Sequence, residues 1–128
     1  VIVDSSAVVA VLRREPRQEE LAMKLEAAEV VAIGAPTLFE TGMVVIGALG
    51  QRGRSLIAHF LEGFEVEVIP FRHSHWEAAV EAFHRYGKGH HPAALNYGDC
   101  MSYATARIAD RPLLYVGDDF AKTDIEAA

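Results

Sequence analysis

The sequence has one cysteine, Cys100, in 128 residues. A lone cysteine excludes an internal disulfide and reads as a small buried apolar residue. Long hydrophobic runs are missing too. The longest, residues 43–49, is broken by Gly47 and falls well short of the ~18 residues of a membrane span. No basic segment precedes the apolar opening VIVDSSAVVAVL, and Asp4 interrupts it, so no secretory leader is expected there. Positive charge is scarce: 12 lysines and arginines against 18 acids give a net charge of −6, which argues against a general nucleic-acid binder. Repeats, low-complexity tracts and long linkers are absent. These absences predict a cytosolic protein in which residues 1–128 form a single domain.

What is present suffices for a core. Apolar residues make up 51% of the chain, and the length allows a buried interior without disulfides or structural metal. The few basic residues are clumped: Arg13, Arg14 and Arg17; Arg52 and Arg54; Arg85 with Lys88 beside His84, His90 and His91. The first two groups read as solvated faces.

Short apolar runs alternate with helical patterns. Val1–Val3 reads as a strand and Ala7–Leu12 as a helix packed on the same core. Residues 15–29 are helical, with Pro16 at an early helical position and Leu21, Leu25 and Ala28 on one face. Strands are expected at 30–33, 66–70 and 113–116. A helix from Pro36 is expected to turn Leu38, Gly42, Val45, Ile46 and Leu49 to one side, and a shorter helix runs over 54–62. In the helix 74–86, Trp76, Ala79, Val80 and Phe83 form a stripe that reads as core. After the irregular stretch GKGHHPAALNYG, a helix resumes at Asp99. Strand–helix alternation predicts an α/β fold with a parallel sheet covered on both faces, whose ligands bind beyond the carboxyl ends of the strands.

The acids are placed for that edge. Asp4 follows the first strand, and Asp118 and Asp119 follow the last after Gly117. In parallel strands they share one rim. Asp99 stands at a helix start, and Glu40 lies on or beside an apolar helix face, where an unpaired carboxylate is costly. Separately, each has a bland explanation as a cap, a turn residue or a surface acid. Ser6 has two readings, a hydrogen bond within the same site or a cap. Gathered carboxylates stay ionised together only around a cation, and hard oxygen ligands select magnesium or manganese over zinc. His73, His75 and the His90–His91 pair lack partners at metal-site spacing. Carboxylate-held magnesium points to phosphoryl chemistry.

VIVDSSA, the Glu40 helix, GKGHHPAALNYGDC and LLYVGDDFAKTDI resemble the PIN-domain ribonucleases, and more closely the VapC toxins of toxin–antitoxin pairs, over essentially the whole chain. The resemblance implies a three-layer α/β/α sandwich, Mg2+-dependent (or Mn2+-dependent) cleavage of RNA, and a cognate VapB-type antitoxin, with a homodimer or a hetero-oligomer as the assembly. It assigns Asp4 and Asp99 to the main metal, with Glu40 and Asp119 completing the pocket and Asp118 as the substitute for Asp119. Arg85, Lys88 and His91 on the adjoining stretch are placed to hold flanking phosphates; His90 stands where similar sequences often carry Arg. Two other classes compete. A phosphatase wants a second acid two residues after Asp4, where this chain has Ser6; a phospho-receiver wants a lysine after the last strand, where it has Gly-Asp-Asp. A non-catalytic binding module would keep the scaffold without needing the acids.

Overall fold

The computed structural model describes residues 1–128. Four short strands, β1 (Ile2–Val3), β2 (Ala32–Gly34), β3 (Glu67–Ile69) and β4 (Leu113–Leu114), form one parallel sheet in the order β3-β2-β1-β4. Ile2 pairs with Ala32 on one side and Leu113 on the other, and Ala32 pairs in turn with Glu67. The helices are α1 (Ser5–Leu12), α2 (Gln18–Ala27), α3 (Ala35–Leu49), α4 (Gln51–Gly63), α5 (His73–Tyr86) and α6 (Tyr97–Ala109). A 3-10 turn at Phe120–Lys122 follows β4.

The pleat divides the core. Ile2, Ala32 and Leu113 point to one face and meet Ala79, Ala82, Cys100, Tyr103 and Ala104 of α5 and α6. Their neighbours Val3, Ile33 and Leu114 point to the other and meet Ala7 and Val8 of α1, Leu21 and Leu25 of α2, and Phe60 of α4. Adjacent residues on a strand face opposite ways, so strands buried on both faces must be apolar at every position. The result is a three-layer α/β/α sandwich. Full burial of a side chain such as Leu21 or Leu113 contributes about 1.5–3 kcal/mol.

Several expected details differ. Pro16 lies in the turn before α2, because Arg17 caps that helix. In α3 the buried positions are Thr37, Thr41 and Val45, whereas Ile46 and Leu49 are exposed and Leu38 is half-buried. The threonines are inside because their hydroxyls are paired: Thr41 Oγ1 donates to the Thr37 carbonyl (2.8 Å), and Thr37 Oγ1 shares a bond with Ser102 Oγ (3.1 Å). In α5 the stripe read as core is half outside. Trp76, Val80 and Phe83 are at least half exposed; Ala79, Ala82, His75 and Tyr86 are the buried set. Small residues at that seam let α5 lie close to α6. Helix α6 begins at Tyr97, two residues ahead of Asp99, with Asn96 as its cap.

The strand order reverses at β1: the chain moves to β2 and β3 on one side and returns to β4 on the other. At such a switch point the loops leave in opposite directions and open a crevice beyond the carboxyl ends. Asp4 stands there, its backbone N–H donating to the Leu114 carbonyl at 2.9 Å.

Candidate active site

Asp4 both caps a helix and faces the crevice. It is 5% exposed, and its Oδ2 accepts the Ser6 backbone N–H (2.9 Å) and the Ser6 hydroxyl (2.5 Å). Ser102 Oγ donates to Oδ1 at 2.5 Å from α6. Ser6 Oγ also accepts the Val116 N–H (3.0 Å), so one hydroxyl ties β4 to α1 through the carboxylate. Three donors fix the plane of the Asp4 carboxylate.

Glu40 reaches the same rim from α3. Ser5 Oγ donates to its Oε1 at 2.5 Å, and its other oxygen lies directly against Gly98, where a Cβ would collide with it. Gly98 therefore serves by lacking a side chain. Asp99 sits in a reciprocal cap: its Oδ2 accepts the Asn96 N–H, and Asn96 Oδ1 accepts the Asp99 N–H, both at 2.9 Å.

Electrostatics gathers the four acids. Burial pushes the Asp99 carboxyl up to about 6, against the pull of the Asn96 hydrogen bond, and the charges of Asp119, Asp4 and Glu40 add to the rise. No lysine or arginine acts on it, and Asp118 is not among its charged neighbours. Asp119 is exposed and opens the 3-10 turn. As the side chains lie, no three acidic, histidine or cysteine groups close on one point as a ligand set. The donor chemistry nevertheless suits a hard divalent cation: carboxylate oxygens only, with no basic side chain acting on Asp99.

The expected phosphate holders lie at the end of α5 and in the stretch that leads into α6. Arg85 is committed to Asp124 (3.1 Å) and to the Tyr86 hydroxyl, to which it donates at 2.6 Å. Lys88 is exposed in the turn after α5, and His91 Nδ1 accepts the Ala93 N–H at 3.0 Å. His75 is buried, its Nδ1 accepting the Arg72 N–H at 3.1 Å, so it is a structural residue. The supporting residues Ser5, Ser102 and Thr37 escape a reading of the acids alone. One signal pointed to Ser102: it lies one helical turn after Asp99, on the same face.

A parallel sheet with four acids gathered at its switch point defines a class of α/β domain whose site is polyanionic. The chain belongs to the PIN-domain family, whose model matches residues 1–126. Ribonuclease VapC36 of Mycobacterium tuberculosis is 43% identical over 126 residues, covering 98% of this chain and 91% of that protein. Two solved structures share the fold. Mycobacterium tuberculosis VapC20, a sarcin-ricin loop cleaving toxin, superposes with a TM-score of 0.79 at 19% identity, over 99% of this chain and 97% of that one. A toxin–antitoxin complex from Klebsiella pneumoniae gives 0.69 at 21% identity, over 97% and 92%. Family membership removes the phosphatase and receiver alternatives.

Proposed function

We propose that this protein is the ribonuclease toxin of a toxin–antitoxin pair, acting in the cytosol, with residues 1–128 as one domain that hydrolyses RNA phosphodiesters at the acidic rim. The observation that carries this reading is the meeting of Asp4, Glu40, Asp99 and Asp119 at the switch point of a PIN-domain sheet, with no basic residue acting on Asp99. Asp4 and Asp99 would hold Mg2+ or Mn2+, with Glu40 and Asp119 completing the pocket. When bound, such an ion supplies a water of lowered pKa and offsets charge on the phosphate oxygens.

The chain's own residues prepare that site. Ser6 and Ser102 hold the Asp4 carboxylate in one orientation, Ser5 holds Glu40, and Asn96 holds Asp99. These hydrogen bonds restrict the acids to the rim, and a cation would draw the carboxylates the remaining distance together. Single-stranded or looped RNA fits an open rim better than a duplex, since its bases and backbone can be splayed. The same pocket is the natural target of an inhibitor. A VapB-type antitoxin would place an Arg or Lys among the acids and lay apolar side chains on the early helices.

Cleavage of RNA by the purified chain and by Asp99→Asn tests the reading. The substitution keeps the shape and the cap but removes one charge, so cleavage should fall about a hundredfold or more while the thermal midpoint holds. Equal rates would overturn it.

A further inference from the structure

The two arginine clumps that read as solvated faces meet in the fold. Arg13 and Arg14 follow α1, Arg52 opens α4, and all three line one pocket of about 390 Å³ floored by Leu12, Leu49 and Leu56. None of the three makes an ion pair, whereas Arg17, Lys24, Arg85 and Arg107 all do. Arg54, two residues on, is also unpaired but faces the other side of α4 and lines a different groove. In a chain of net charge −6 the pocket is a local concentration of arginines that form no ion pair. Guanidinium stems lie well on an apolar floor, and their planar forks match phosphate oxygens.

We infer that Arg13, Arg14 and Arg52 form a phosphate-binding site for RNA remote from the scissile bond, an inference that rests on the ribonuclease reading above. Its position argues for this ligand. Helices α1 and α3 start at the acidic rim and end at the arginines, and the 8 residues of α1 span about 12 Å. A strand whose scissile phosphate lies at the rim thus has neighbouring phosphates within reach of the pocket. An acidic segment of a protein partner could meet the same guanidinia; phosphates are favoured because three unpaired planar forks stand together on one apolar floor. Contacts of this kind position a substrate without reading its sequence.

The test is the salt dependence of RNA binding. A short fluorescein-labelled single-stranded RNA of mixed sequence is titrated by anisotropy against the cleavage-deficient Asp99→Asn chain, alone and carrying Arg13→Gln, Arg14→Gln and Arg52→Gln together. Each phosphate contact to a single strand contributes about 0.7 to the slope of log K against log salt, so three lost contacts should flatten it by about 2. A control carrying Arg17→Gln, Lys24→Gln and Arg107→Gln changes the net charge equally and should keep most of the slope. A triple Lys variant at the pocket should keep it too, and circular dichroism confirms folding of each. If the pocket and control variants lose the same slope, or neither loses any, the site is refuted. Cleavage of the same RNA by the parent chain is read in parallel. A parent that cleaves while the slope is indifferent to the arginines sinks this inference alone; a parent that neither binds nor cleaves sinks both.

Discussion

Asp118 and Asp119 are adjacent and chemically identical, yet only Asp119 contributes to the rise of Asp99. Asp119→Asn should therefore abolish cleavage while Asp118→Asn reduces it severalfold at most, as compared by initial rates on one RNA; the reverse order would assign the wrong acid. Asp4, Asp99 and Asp119 stood out in the sequence because each follows a strand or stands near a helix start, and Glu40 because it lies beside an apolar helix face. Their supports were not, since a serine's partner depends on tertiary contacts that spacing does not encode. His75, whose residue type raised metal ligation and whose spacing argued against it, is a helix cap. Burial, aided by the charge of Arg72, lowers its pKa below the usual histidine value of 6.5. The unfolded chain then binds the proton first, so its contribution to stability is complete above 6.5 and is lost as pH falls through the lower folded value. Asp99 runs the other way in the metal-free protein: its contribution is present below 3.8 and lost as pH rises through about 6. Comparing denaturant melts of the wild type with His75→Gln cancels Asp99. The stability difference should shift against the wild type as pH drops below 6.5, and a difference constant with pH would show that His75 does not titrate as argued.

At the scale of elements, the parallel sheet and the order of helices followed from alternation, because strands covered on both faces must be continuously apolar. The helix faces did not follow. An apolar stripe has the same spacing whether it meets the core or faces outward, and in α5 the small residues Ala79 and Ala82 took the seam from Trp76 and Phe83. In α3 the polar Thr37 and Thr41 took it, through hydroxyl bonds that hydropathy patterns do not register. The approach of α6 to α3 yields a sharper expectation. A methyl group at Gly98 would collide with the Glu40 carboxylate, the movable end of a long side chain. Gly98→Ala should accordingly leave the melting temperature nearly unchanged and lower cleavage about 10–100-fold, the usual loss when an orienting contact fails. Loss of folding with it, or full activity, would mean Glu40 is not positioned by that contact.

For the whole molecule, charge is the organising feature. The chain carries net charge −6 and concentrates acids at one edge of the sheet, while unpaired arginines gather at the far ends of α1 and α3. No helix is long and apolar enough to cross a membrane. Like charges held together raise the energy of the folded state, and a cation that binds the native rim offsets this, stabilising the fold by mass action. The function proposed here therefore stands on one dependence, that of RNA cleavage on a divalent ion. Cleavage rates of the purified chain should rise with added Mg2+ or Mn2+ to a plateau, vanish in excess chelator and return on restoring the ion. Undiminished cleavage in excess chelator would contradict the account.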